Sequence, residues 1–109
     1  MAYSESLADR VRHLLGRQIG LEEKRMFGGL AFLTFGRLAV GVRKDSLLAR
    51  LGPDAAAETL DDPAVEPFLN GGRPMKGWVV IGADGFETDE QLAGWLRRAM
   101  DFAGQLPPK

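Results

Sequence analysis

Two cations, Arg73 and Lys76, stand in a stretch that could hold an anion: Asn70-Gly71-Gly72-Arg73-Pro74-Met75-Lys76-Gly77-Trp78. Pro74 stiffens the segment, the glycines permit close approach to the backbone, and the two side chains supply the charge. A second glycine pair, Gly28-Gly29, lies in the apolar run Met26-Phe27-Gly28-Gly29-Leu30-Ala31-Phe32, with Arg25 just before it. Backbone N–H groups of such a pair can face an anion. Arg25, Gly28, Gly29, Arg73 and Lys76 are therefore the candidate site, for an acidic protein partner or for a small anion. Each also has an architectural reading. A phosphate loop has a helix start behind it, whereas a strand pattern follows Gly28-Gly29, as at a bulge or beneath a closely packed helix. Arg73 and Lys76 could pair with neighbouring acids while Pro74 merely starts a strand.

Catalytic chemistry has little to work with. The chain has one histidine, His13, and three serines, Ser4, Ser6 and Ser46. Ser6 reads as a helix cap and Ser4 lies near the terminus, so no nucleophile–base–acid set forms. One histidine and no cysteine cannot make the usual zinc ligand set. Asp61-Asp62 and Asp84 lack the spacing of a calcium loop. No catalytic residue, metal or cofactor is expected. Arg10, His13 and Arg17 share one edge of the first helix, a row that is more often a solvated face than a phosphate contact.

The elements that must position the candidate site follow from hydrophobic spacing. Leu7, Val11, Leu14 and Leu15 predict a helix over residues 6–17, capped by Ser6 with Asp9 reaching back. Strands are expected at Lys24 to Phe27, Leu30 to Thr34, Leu38 to Val42 and Leu47 to Leu51, joined by turns at Phe35-Gly36-Arg37 and Arg43-Lys44-Asp45. In the third, Leu38, Val40 and Val42 face the core, leaving small Ala39 and Gly41 on the other face. Asp54 caps a short helix through Leu60, and Val65 to Leu69 adds a turn of helix. Met75 to Ile81 is the last strand, apolar on both faces at Trp78-Val79-Val80-Ile81. Thr88-Asp89-Glu90-Gln91 is a capping box ahead of Leu92, Trp95, Leu96, Ala99, Phe102 and Ala103. Gly104 ends that helix, and Leu106-Pro107-Pro108-Lys109 is a stiff tail. Both tryptophans are read as core. The fold class is α+β: one domain over residues 1–109, a two-layer sandwich with an antiparallel sheet of about five strands and helices packed on it.

At 109 residues the chain can support one modest core. Fourteen glycines point to many turns or close backbone approaches. With no cysteine there are no disulfides. The N-terminus lacks a basic region followed by an apolar stretch, and no apolar run is long enough to span a bilayer. A cytoplasmic protein is expected. A net charge of −1 argues against direct nucleic-acid binding. The charge is split, +4 over residues 1–52 and −5 over residues 53–109.

Four landmarks in order carry a resemblance: Arg25 to Phe32, Arg50-Leu51-Gly52-Pro53, Gly72 to Trp78, and Leu106-Pro107-Pro108-Lys109. Together they resemble the TfoX (Sxy) N-terminal domain family. That resemblance implies a two-layer sandwich with an antiparallel sheet. The founding members look like regulators of natural competence that act with the cyclic-AMP receptor protein at promoters, and they carry a second, C-terminal domain. This chain ends at Lys109, where the first domain ends. The resemblance therefore implies a regulatory, partner-binding module more than competence itself, with a transcription regulator as one candidate partner. It brings no catalytic residues. Ala39, Gly41 and the two-sided strand at Trp78 to Ile81 make a homodimer a further expectation.

Overall fold

The structure, a computed structural model, describes residues 3–26 and 28–106. Phe27 and the tail from Pro107 to Lys109, on which expectations fell, lie outside the described residues. The order is α1 (Glu5–Leu15), β1 (Leu21–Met26), β2 (Gly29–Thr34), β3 (Arg37–Val42), β4 (Ser46–Arg50), α2 (Pro53–Thr59), β5 (Val65–Asn70), β6 (Arg73–Gly82) and α3 (Asp89–Gln105), with a short 3₁₀ turn at Ala83–Gly85. The six strands form one antiparallel sheet in the order β1-β2-β3-β4-β6-β5. The α+β sandwich is as expected, but the strand count is six.

The added strand is β5. Val65 to Leu69 reads as a turn of helix because Pro67 interrupts it. Here Pro67 lies on an edge strand, where its missing N–H costs no ladder bond, opposite Val79. Gly71 and Gly72, with φ of +63° and +82°, then close a two-residue hairpin between Asn70 and Arg73. Both positive angles suit a type I′ turn, which matches the natural twist of the strands it joins. Arg73 and Pro74 thus begin β6 rather than lying in a loop.

Helix starts were partly legible. Thr88 caps α3: its Oγ1 accepts the Gln91 N–H at 3.1 Å, and Gln91 Oε1 accepts the Thr88 N–H at 3.0 Å. Thr88→Ala should cost about 1 kcal/mol and lower the melting temperature by roughly 5 °C, whereas Thr88→Ser should restore it; equal melting of all three would remove the cap's role. The first helix is capped two residues earlier than expected. Ser4, not Ser6, accepts the Leu7 N–H, because the Ser4 N–H is tied to the Arg43 carbonyl at 3.0 Å and fixes the entry of the chain. Gly16, at φ +64°, ends that helix at Leu15 rather than at Arg17. In α2, Pro53 occupies the first turn after Gly52, and Asp54 sits inside the helix instead of capping it.

Helices cover one face of the sheet: α3 crosses β2, β3 and β4, α1 packs against α3, and α2 lies over β6. Leu30, Phe32, Val40, Val42, Leu47, Ala49, Val79 and Ile81 point into this core with Leu7, Val11, Leu92, Trp95 and Leu96. Arg10 fastens α1 to the start of α3, donating to Asp89 Oδ1 at 3.1 Å and the Phe86 carbonyl at 2.9 Å. Arg12 does the same for β1, bridging both Glu23 carboxylate oxygens and Asp9; these hydrogen bonds push its pKa up. The Arg10 edge of α1 is therefore in structural use.

Between Phe32 and Leu33 the β2–β3 register shifts: Phe32 faces Val40 but Leu33 faces Leu38. Ala39 is the extra residue of a β-bulge, which turns it toward the helices. Ala39 is fully buried in the core, correcting the expectation that it lies on the other face with Gly41.

A candidate interaction site on the open sheet face

The face away from the helices carries its own apolar layer. Ala31, Leu33 and Leu48 are at most 6% exposed, yet none belongs to the core under the helices. Ala31, Gly41 and Leu48 lie opposite one another on β2, β3 and β4. A cavity of about 200 Å³ opens over this row, lined by Met26, Gly29, Leu38, Gly41, Leu48 and Phe68 among others. Met26 is on β1 and Phe68 on β5, the two edges of the sheet, so the six strands curl around the cavity. Gly41 forms its floor: a side chain there would stand over Leu48 and take up the space.

Arg43 and Phe68 line the cavity, and a series of ring contacts runs outward from Phe68. The Arg43 guanidinium lies 5.8 Å from the Phe68 ring centre. Phe68 and Trp78 stand 6.3 Å apart at 51°. The Arg50 guanidinium is 5.3 Å from Trp78 and 5.9 Å from Phe102. Each such contact contributes about 0.5–1 kcal/mol where exposed. Trp78 is thus half-buried on the open face and not in the core, as was expected of it; Trp95 is in the core and donates to the Gly85 carbonyl at 2.9 Å. Arg50 has its pKa lowered, chiefly by burial and further by the charge of Arg37. Arg37 Nε is itself buried, with no hydrogen-bond partner among the described residues.

The five residues singled out in the sequence are not gathered at this cavity. Gly29 lines it. Gly28, at φ +71°, is exposed in the β1–β2 turn. Arg25 lies on the same face of β1 as Glu23, whose carboxylate meets α1, and so on the side away from Gly41. Arg73 and Lys76 are exposed at the start of β6 and make no ion pair among the described residues. Sequence reasoning flagged Gly41 as a place of close approach, which the cavity supports, but it missed Met26, Leu38 and Phe68. Phe68 was hidden by the misread strand, and Met26 by the curl that brings opposite edges together. Of the surface proposed for self-association, Ala39, Val79 and Ile81 are in the core.

Among the described residues no helix is long and apolar enough to cross a membrane. Comparison with protein families matches residues 13–103 to the family described as TfoX N-terminal domain. No curated protein matches the chain.

Proposed function

The chain belongs to the TfoX N-terminal domain family, and from that premise we propose that it is a non-enzymatic protein-interaction module that reads its partner with the open face of the sheet. The observation that carries this is the size and lining of the cavity. At about 200 Å³ it is smaller than the roughly 300–1,000 Å³ of ordinary small-molecule sites. It exceeds the ~150 Å³ of an apolar cavity that takes up benzene. One large apolar side chain is what fits, and buried anchors of this kind dominate protein interfaces. Arg43 in the cavity wall favours an acidic group beside the anchor on the partner. The likeness to competence regulators favours a transcription regulator as partner, met in the cytoplasm, and a regulatory role.

Selection of a random peptide library on the immobilised protein tests the reading. Peptides sharing one large apolar residue are expected. Gly41→Val, which fills the cavity from its floor, should weaken the selected peptides at least about ten-fold, or ~1.4 kcal/mol, while leaving the melting temperature within a few degrees. Arg73→Ala with Lys76→Ala, measured alongside, reports whether the β5–β6 hairpin joins the contact. Peptides that bind Gly41→Val as well as they bind the wild type would overturn the proposal.

A further inference from the structure

We propose that the protein pairs with a second copy of itself through β1, edge to edge about a two-fold axis, independently of what fills the cavity. β1 is an end strand of the sheet, with β2 its one ladder neighbour among the described residues. Its pairing with β2 has no register shift, and it contains no proline. The Phe35 N–H donates to the Gly20 carbonyl at 2.9 Å, and the Leu21 N–H turns away to the Gln18 carbonyl. The alternation of an antiparallel ladder then turns the N–H and C=O groups of Glu23 and Arg25 outward, ready for another strand. β5, the opposite edge, is closed to such pairing: Pro67 lacks an N–H, and the register with β6 shifts just beyond it. One edge is open and it pairs with itself, so the assembly closes as a dimer and does not grow into a filament.

Charge selects a second copy as the occupant. Leu21-Glu22-Glu23-Lys24-Arg25-Met26 carries two acids and then two bases, all four exposed. An edge guarded by charges of one sign repels its own kind; this edge is complementary to its own reverse. Directly opposed side chains share a face of the sheet, so two copies centred on this strand can place either Glu23 or Lys24 on the axis. With Glu23 there, Glu22 meets Lys24 of the second copy on the open face, twice by symmetry, and Leu21 meets the stem of Arg25 on the helix side. The two Glu23 carboxylates can approach because Arg12 of each copy already holds both oxygens of its own Glu23, at 3.0 and 3.1 Å. Lys24 has no such counter-ion among the described residues, which disfavours the register centred on it. A two-fold axis through an antiparallel strand pair keeps the helices of both copies on one side. Both open faces then lie together on the other, and Met26, at the end of β1, carries a cavity wall up to the shared edge from each copy.

Analytical ultracentrifugation tests this. Over micromolar to sub-millimolar concentrations the wild type should show a reversible species of twice the chain's mass. Glu22→Lys and Lys24→Glu should each weaken it about ten-fold or more, because each replaces two attractive pairs by two repulsive ones. Mixing the two variants should restore association as a heterodimer, in which every lysine again faces a glutamate. Arg25→Pro, which blocks the edge as Pro67 blocks β5, should stay monomeric with an unchanged circular dichroism spectrum; the two charge variants carry the test if it unfolds. A wild type that remains monomeric throughout, a dimer that survives both charge reversals, or single variants that do not recombine on mixing would each overturn the proposal. A dimer lost in Gly41→Val but kept in Glu22→Lys would place the contact on the open face and overturn the edge pairing as well.

Discussion

Gly29→Ala is expected to destabilise the protein by about 3 kcal/mol, the upper range for forcing an extra carbon into a packed site, and to lower its melting temperature by on the order of 15 °C. A Cβ at Gly29 would run into the carbonyl oxygen of Val42. That atom belongs to the backbone of β3, so it cannot swing aside as a side chain would; the strands themselves must part. Gly41→Ala is the internal control. It lies on the neighbouring strand, lines the same cavity, and its added Cβ would meet Leu48 at 3.4–3.5 Å, an ordinary contact. Neither glycine has a positive φ. Alanine at 41 should therefore be neutral or stabilise by up to about 1 kcal/mol through the lost freedom of the unfolded chain. Denaturant unfolding of the two variants, read as a pair, checks this. A loss below about 1 kcal/mol at Gly29, or equal losses at both, would mean that the β2–β3 contact relaxes easily and that the glycine pair owes its place to something other than packing.

What the sequence revealed and what it hid divide along physical lines. Thr88 and Gln91 act on each other across one helical turn, so the cap of α3 is written in four consecutive residues. The alternation in β2, β3 and β4 is equally local. The facing of Ala39 depends on a register slip against β2, which a single strand's pattern does not record. The identity of β5 depends on β6 lying beside it, and Pro67 masks it until the edge position is known. The cavity lies furthest from the sequence. It requires the curl of a six-stranded sheet to bring Met26 and Phe68 together from opposite edges. The glycine-and-cation grouping looked like a site because its residue types can bind anions; the fold separates them, with Arg25 on the helix side of β1 and Arg73 on the far hairpin. Arg43 reads as a turn residue, and only the pairing of strands places it with Phe68 at an apolar hollow.

Gly77→Ala should cost about 2 kcal/mol net, and it tests what the family landmarks are for. Gly77 sits within β6 at φ +90°, where an L side chain is strained by roughly 1–2 kcal/mol. Its carbonyl accepts from the N–H groups of both Leu51 and Gly52, at 2.9 and 3.1 Å. A Cβ would approach the backbone of Gly52 and Pro53 to 3.3–3.4 Å, tighter than side chains usually tolerate. Gly52 in turn lies under the Phe102 ring of α3, with its own φ at +90°. Two landmarks far apart in sequence, Arg50 to Pro53 and Gly72 to Trp78, are thus halves of one junction that anchors α2 and α3 to the sheet. Gly72→Ala, in the open hairpin turn with no atom near its Cβ, carries the strain without the crowding and should cost about 1 kcal/mol. If Gly77→Ala melts no earlier than Gly72→Ala, the junction is looser than its hydrogen bonds imply. Well below its melting temperature, Gly77→Ala should still bind the selected peptides with wild-type affinity, because the glycine faces the backbone of α2 and not the cavity. Within the landmarks, only Arg50 and Trp78 of this junction turn toward the open face. The landmarks at Arg50 to Pro53 and Gly72 to Trp78 therefore mostly build the scaffold, whereas Arg25 to Phe32 gives Met26, Gly29 and Ala31 to the cavity, and Leu38, Arg43 and Phe68 complete its lining from outside the landmarks.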